Sequence, residues 1–176
     1  MRAPVDAERL ARFMRELGQR ATGPGRVYLT GGATAVSFGW RASTVDVDIK
    51  LAPEPAGVFE AISKLKNELD INIELASPDL FVPVPADWEV RSEFIARYGQ
   101  VDFLHFDYRA QALAKIARGY ERDLADVTAM IDRDLVSMEA IQRALDEVSP
   151  NLVRYPGLDS EVFRARVGAF LGPDHA

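Results

Sequence analysis

The chain has 176 residues, of which 48% are hydrophobic and 27% are charged, and it contains no cysteine. This length suits one domain, or one domain with a helical extension, that needs no disulfide or structural metal to fold. Because cysteine is absent, thiolate metal sites and cysteine nucleophiles are excluded. The only histidines are His105 and His175, so a histidine-rich zinc site is not expected.

The charge and hydropathy patterns predict a cytoplasmic protein. The 21 basic and 27 acidic residues give a net charge of −6, which disfavours nonspecific binding to nucleic acid. No apolar run approaches the roughly 18 residues that a membrane span requires. The first residues are charged at every turn and lack the apolar core of a signal peptide.

Apolar periodicity alternates between helix and strand as far as residue 107 and is helical afterwards. This order predicts an α/β sandwich over residues 1–107, with a helical C-terminal part over residues 108–176 packed on it. Residues 77–90 are predicted to be a loop, and residues 92–98 are ambiguous. The predicted strands cover 26–30, 43–51, 70–76 and 100–107, and the predicted helices cover 6–19, 33–38, 57–69, 109–121 running into 122–132, 137–147 and 159–171.

A glycine pair follows the first predicted strand. The strand runs into Gly31 and Gly32 and then directly into a helix. Glycines in such a turn let backbone N–H groups approach a phosphate closely, and a helix N-terminus favours negative charge. The alternative is a tight strand-to-helix turn that serves packing alone.

Two carboxylates lie in the predicted strand over 43–51. Because side chains alternate along a strand, Asp46 and Asp48 point from the same face. Neighbouring carboxylates repel unless a cation lies between them, and their hard oxygen atoms suit Mg²⁺ or Mn²⁺, which also bind substrate phosphates. The alternative is the solvated face of an edge strand. A later strand supplies a third carboxylate, either Glu74 or Asp102, and a surface role stays open for both.

The order of these features resembles the nucleotidyltransferase superfamily, which has the DNA polymerase β-like fold. The closer resemblance is to the bacterial AbiEii-like, toxin–antitoxin-associated branch. In that branch an arginine and a Ser/Thr precede the Asp-x-Asp motif, and Arg41, Ser43 and Thr44 stand in that place here. The resemblance implies a mixed sheet flanked by helices, in the α/β (α+β) class, with a C-terminal helical extension.

The same branch carries a helical K-x-x-R motif followed by D-x-x-D. Lys115 and Arg118 match the first motif, and Asp123 and Asp126 match the second. At about 100° per residue, the helical stretch has an apolar stripe that passes through Tyr120, with the charged residues on another face. An ordinary amphipathic helix with ion pairs between successive turns is the alternative.

The resemblance implies transfer of a nucleotide from an NTP to an RNA (such as tRNA) or protein acceptor, with Mg²⁺ or Mn²⁺ as the cofactor. It also implies a toxin–antitoxin component with a cognate antitoxin or toxin as partner. Asp46, Asp48 and Glu74 would be catalytic and hold the metal, and Lys115 would be a further catalytic residue. The nucleotide-binding residues would be Gly31, Gly32, Thr34, Arg41, Ser43, Thr44, Arg118, Asp123 and Asp126.

A non-catalytic module that keeps this fold is the alternative function, acting as a partner-binding or NTP-sensing protein. It would differ from the enzyme in a misplaced third carboxylate or a filled cleft. His105, which alternates with Phe103 in the last predicted strand, is expected to be a half-buried packing residue.

Overall fold

The structure is a computed structural model that describes residues 2–172, so His175 lies outside the described part. The chain divides into two compact units. The first unit comprises Met1–Ser77 and Ser92–Phe106, and the second comprises Pro78–Arg91 and Asp107–Ala176. The second unit resumes at Asp107, one residue before the boundary predicted from the sequence, but it also includes the segment over 78–91.

The first unit is a five-stranded mixed sheet with three helices. The sheet has the order β3-β2-β1-β5-β4. Strands β1 and β5 are parallel, as are β2 and β3, whereas β1 with β2 and β4 with β5 are antiparallel. The elements are α1 (Ala7–Arg20), β1 (Gly25–Thr30), α2 (Gly32–Ser37), β2 (Asp46–Leu51), α3 (Val58–Glu68), β3 (Asn72–Glu74), β4 (Glu93–Tyr98) and β5 (Val101–His105).

One face of this sheet and the helices form the hydrophobic core. Val27 and Leu29 of β1 and Val47 and Ile49 of β2 are buried and point to the same side. They pack with the apolar faces of α1 and α3, where the buried residues recur at helical spacing. The residues between them point to the opposite face, and in β2 these are Asp46, Asp48 and Lys50. The sheet therefore presents polar side chains of β2 on the face that the core does not use.

The glycine turn between β1 and α2 has two distinct steric requirements. Gly31 has φ +61° and ψ −126°, a backbone conformation that side chains disfavour. Gly32 lies against Thr44, because a Cβ added to Gly32 would stand 2.1 Å from Thr44 Oγ1. Thr44 is held in turn by a pair of backbone hydrogen bonds with Val5. The loop before β2 is thus packed directly on the first residue of α2.

The second unit is helical. It contains α4 (Trp88–Arg91), α5 (Tyr108–Arg118), α6 (Glu121–Asp132), α7 (Met138–Val148) and α8 (Ser160–Leu171), with 3-10 turns at Pro78–Leu80 and Ser149–Arg154. The N-termini of α5, α7 and α8 are capped by the side chains of Asp107, Ser137 and Asp159. No helix within residues 2–172 is long and apolar enough to cross a bilayer.

Charged contacts hold the segment over 78–91 to the helices of the second unit. The guanidinium of Arg109 binds the buried carboxylate of Asp107 and, at 2.7 Å, the carboxylate of Asp87. These two carboxylates raise the pKa of Arg109. The Tyr155 hydroxyl donates to the carbonyl of Asp79 at 2.8 Å. The segment predicted to be a loop therefore has fixed contacts, a 3-10 turn and the short helix α4.

One expectation about the helices is wrong. The predicted helix over 109–121 does not run into 122–132, because Gly119 ends α5 in the left-handed conformation with φ +71°. Tyr120, expected in a continuous apolar stripe, is instead 70% exposed at the N-cap of α6. Among the strands, the one predicted over 43–51 begins only at Asp46, the one predicted over 70–76 is limited to β3, and the ambiguous stretch at 92–98 contains β4.

We predict that Gly32→Ala lowers the free energy of unfolding by about 1–3 kcal/mol, because the new methyl group overlaps Thr44. The matched control is Gly168→Ala, since a Cβ at Gly168 in α8 meets no atom within 4 Å. That control should be neutral or stabilising by up to about 1 kcal/mol. Chemical denaturation followed by circular dichroism measures both. Equal effects of the two substitutions would contradict the packing described for the turn.

Candidate functional site

The two aspartates of β2 lie on the face of the sheet opposite the hydrophobic core. Asp46 and Asp48 are partly buried and alternate with the fully buried Val47 and Ile49. The side chain of Asp48 reaches the glycine turn, because a Cβ added to Gly31 would stand 3.0 Å from Asp48 Oδ2. A carboxylate therefore lies beside a backbone segment that has no side chain of its own.

Glu74 is adjacent to these aspartates on the neighbouring strand. In the parallel register of β2 and β3, Asp48 is opposite Glu74 and Asp46 is opposite Asn72, so all four side chains share one face. Asn72 Nδ2 donates to Asp46 Oδ1 at 2.6 Å and to Glu74 Oε1 at 2.9 Å. The amide of Asn72 thus ties the exposed carboxylate of Glu74 to that of Asp46.

Asp102, the alternative third carboxylate, lies elsewhere in the first unit. It is opposite Arg26 in the β1–β5 register, whereas Asp48 is opposite Thr30 at the other end of β1. Four residues of strand correspond to about 13 Å. Arg97 binds Asp102 through two hydrogen bonds of 2.6 and 2.9 Å and lowers its pKa. Of the two alternatives, the geometry brings only Glu74 to Asp48.

The predicted residues around the glycine turn have different environments. Thr44 is 8% exposed, and its hydroxyl donates to the backbone carbonyl of Asp46 at 3.0 Å. Arg41 and Ser43 are half-buried in the loop between α2 and β2. The structure therefore brings Thr44 to the glycine turn as a packing partner, and its predicted contact with a nucleotide stays a prediction, as do those of Arg41 and Ser43.

Thr34 and His105 form a buried pair. Thr34 is 1% exposed and His105 is 4% exposed, so this histidine is more deeply buried than expected. The Thr34 hydroxyl lies 3.2 Å from His105 Nδ1. Burial lowers the pKa of His105 to about 4, which leaves the imidazole neutral at physiological pH. This pair could not be predicted from the sequence, because its members are far apart in the chain.

The K-x-x-R and D-x-x-D motifs meet across the corner between α5 and α6. The Lys115 ammonium is 2.6 Å from Asp126 Oδ2 and 3.6 Å from Asp123 Oδ1, and the Arg118 guanidinium binds Asp123 at 2.6 Å. The side chains of Lys115 and Asp126 are 4% and 3% exposed, whereas that of Arg118 is 53% exposed. The ion pairs therefore join two helices across the break at Gly119. They are not the pairs between successive turns of one amphipathic helix.

The family was identified by comparison with protein-family models. The model described as "Nucleotidyltransferase of unknown function (DUF6036)" matches residues 8–157. The chain belongs to this nucleotidyltransferase family. No curated protein and no solved structure gives a significant match. The family description does not separate the AbiEii-like branch from other nucleotidyltransferases, so that branch stays a prediction.

The carboxylates of this nucleotidyltransferase suit a metal that arrives with a phosphate ligand. Within residues 2–172, no group of three or more Asp, Glu or His side chains is already arranged around a common metal position. Mg²⁺ is generally bound through one or two carboxylates together with substrate phosphates, and less often in a cage made by protein alone. Asp46 and Asp48, with the open backbone of Gly31 beside Asp48, fit that mode of binding.

We predict that Lys115→Met lowers the free energy of unfolding of the nucleotidyltransferase by about 3–5 kcal/mol, because the Asp126 carboxylate stays buried without its ammonium. Adding Asp126→Leu should restore most of the loss, since an apolar pair replaces a buried ion pair. Lys64→Met is the control, because its ion pair with Glu60 is exposed and contributes little to stability. A double variant as unstable as Lys115→Met would show that the unpaired Asp126 carboxylate is not the cause of the lost stability.

We also predict a specific acid sensitivity from His105. Its pKa is about 4 in the folded state and near 6.5 when exposed, so the unfolded chain binds the additional proton between these values. The stabilisation is complete above pH 6.5 and falls by up to about 1.4 kcal/mol per pH unit as the pH drops towards 4. Denaturation over this range should show a smaller decline for His105→Gln than for the wild type. An equal decline of stability with pH in both proteins would show that His105 is not the source of the acid sensitivity.

Proposed function

We propose that this member of the nucleotidyltransferase family transfers a nucleotide from an NTP to a hydroxyl group of an RNA or protein acceptor, with Mg²⁺ or Mn²⁺ as cofactor. The observation that carries the proposal is the placement of Asp48 between Gly31 and Glu74, with Asp46 on the same strand face. Asp48 thus lies beside a turn that a phosphate can approach, with Asp46 and Glu74 on the same face of the sheet.

Asp46 and Asp48 are the residues that would hold the divalent ion. When bound, the ion would neutralise charge on the phosphates and on the leaving pyrophosphate. Asn72 fixes one oxygen of Asp46 by its hydrogen bond, which holds this carboxylate in one orientation. Asp48 is directed towards Gly31, so its oxygen atoms lie nearest to the proposed phosphate position.

The glycine turn would receive the triphosphate through its backbone. Since α2 has only six residues, its dipole supplies a small part of the attraction. The larger contribution is steric: Gly31 has no Cβ, and its positive φ turns the chain sharply at the end of β1. Backbone N–H groups of this turn would then donate to phosphate oxygens.

Glu74 is the residue proposed to act on the acceptor. Its carboxylate is exposed, and Asn72 holds Oε1 at 2.9 Å. The acceptor hydroxyl oxygen forms a bond to the α-phosphorus, the bond from that phosphorus to the pyrophosphate oxygen breaks, and the hydroxyl proton passes to Glu74. The leaving group is pyrophosphate.

The proposals for the acceptor class and for the biological role rest on the resemblance to the AbiEii-like branch. The match of Arg41, Ser43 and the helical motifs to the AbiEii-like branch supports a component of a toxin–antitoxin pair, with a cognate antitoxin or toxin as partner. Lys115 is buried between two carboxylates of α6, which supports a role in positioning α6 against α5. Arg118 is the more exposed cation of the motif.

We predict that Asp46→Asn and Asp48→Asn each reduce the affinity for a Mg²⁺–NTP complex by at least about tenfold, because each removes a charged metal ligand. Asp102→Asn is the matched control, since Asp102 is paired with Arg97 at the other end of β1. Isothermal titration calorimetry with each of the four ribonucleotides measures the affinity. Unchanged affinity in both test variants would contradict the proposed metal site.

We predict that Glu74→Gln reduces pyrophosphate release by about 10²–10⁴-fold, because it removes the group that accepts the proton. The affinity for the Mg²⁺–NTP complex should change much less, since Glu74 acts on the acceptor. The assay measures pyrophosphate from NTPs incubated with the protein and with either total RNA or a protein lysate. Tight NTP binding by the wild type, with no pyrophosphate released under either condition, would favour the non-catalytic NTP-sensing alternative.

A further inference from the structure

The side chain of His105 extends from the sheet to helix α2, which follows the glycine turn. It is the last residue of β5 and is opposite Leu29, two residues before Gly31. Both nitrogen atoms of its ring face hydroxyl groups of α2: Nδ1 is 3.2 Å from Thr34 Oγ1, and Nε2 is 3.4 Å from Ser37 Oγ. The Phe38 ring, with its centroid 4.9 Å from that of the imidazole, packs on the same side chain.

The contacts of the His105 ring nitrogens with the two hydroxyl groups are directional, whereas apolar packing is not. An aliphatic residue could fill the same volume without the cost of burying an imidazole, so the polar atoms need partners to offset their desolvation. The Thr34 hydroxyl supplies one partner and also lies 3.5 Å from the carbonyl of Leu29. Thr34 is therefore connected to both β1 and β5 and, at 1% exposure, is turned away from solvent.

Helix α2 depends on such contacts for its position. A helix of six residues has little stability of its own. It begins directly after Gly31, a residue that loses more backbone entropy on ordering than any other type. A contact from the first turns of α2 to a neighbouring strand is therefore an efficient way to hold the glycine turn in one conformation.

We propose that His105 is a positioning residue: through the Thr34 hydroxyl it fixes α2 on the sheet and so holds the Gly31–Gly32 turn in the conformation that receives the triphosphate. This inference rests on the proposed function. It assigns to Thr34 an indirect role in place of the direct nucleotide contact expected from the sequence. Neither His105 nor Thr34 touches the substrate in this account.

The first experiment tests the contact without any ligand. Hydrogen–deuterium exchange of the wild type is compared with Thr34→Val, which keeps the volume but removes the hydroxyl, and with Thr34→Ser, which keeps the hydroxyl. We expect exchange in the peptides covering α2 to be about three- to tenfold faster in Thr34→Val, as the loss of one hydrogen bond predicts, and near wild type in Thr34→Ser. Wild-type exchange in Thr34→Val would overturn the proposal.

Two further variants separate local from general effects. His105→Leu should reproduce the faster exchange of Thr34→Val, because it removes the other partner of the same contact. Thr128→Val is the matched control, since the Thr128 hydroxyl bonds only within its own helix, to the carbonyl of Leu124 at 3.1 Å, among the hydrogen bonds the structure describes. Exchange in α1 and α6 should stay unchanged in Thr34→Val. A uniform increase along the chain would overturn a local role.

The second experiment links the contact to the site. The probe is Mg²⁺ with inorganic tripolyphosphate, which tests the triphosphate position independently of the base, and calorimetry measures its affinity. Thr34→Val should weaken binding about three- to tenfold, and Thr34→Ser should restore it. Faster exchange with unchanged affinity in Thr34→Val would overturn the positioning role.

The two proposals fail in different ways. If the wild type binds neither the probe nor any Mg²⁺–NTP complex, or binds equally after Asp48→Asn, the proposed function fails and the positioning role fails with it. If the wild type binds, Asp48→Asn weakens binding and Thr34→Val has no effect, only the inference about His105 is overturned.

Discussion

The contact between Gly32 and Thr44 is the constraint on which the candidate site depends. Gly32 has no side chain, and the hydroxyl of Thr44 occupies the space where a Cβ would lie. Thr44 is also fixed by two backbone hydrogen bonds to Val5, so the chain enters β2 in one register. That register puts Asp48 opposite Thr30 and beside Gly31. The placement of the carboxylates thus follows from a packing contact that contains no charge.

The polar face of β2 could be predicted from the sequence, because side chains alternate between the two faces of any strand. Alternation along the predicted strand puts Asp46 and Asp48 on one face, and the structure has this arrangement, although β2 begins only at Asp46. The glycine pair likewise marks a turn that few other residues could adopt. The mixed sheet with flanking helices, expected from the resemblance, is also what the structure has.

The features that sequence analysis missed depend on contacts between distant residues or on one backbone conformation. Nothing near His105 in the sequence indicates its contact with Thr34, and nothing near Asp46 indicates the hydrogen bond from Asn72. The break at Gly119 was missed because the helical spacing of apolar residues continues on both sides of it. A glycine within a helical pattern is compatible with either continuation or termination, and tertiary contacts decide between them.

The environment of Lys115 shows how a resemblance and a physical contact lead to different roles for one residue. The motif suggests a cation for the triphosphate, but the ammonium is already surrounded by the carboxylates of Asp123 and Asp126. These two carboxylates offset the cost of removing the ammonium from water. Arg118, bound to Asp123 and partly exposed, is the cation of this motif with access to solvent.

The proposed metal site is tested most directly by a crystal structure of the protein grown with Mn²⁺ and a nonhydrolysable NTP analogue. The anomalous signal of manganese would locate the ion. We expect an anomalous peak at coordination distance from Asp46 and Asp48, with the phosphates against the backbone of Gly31. Manganese and triphosphate bound elsewhere in the chain, with the two aspartates facing only solvent, would contradict the proposed metal site.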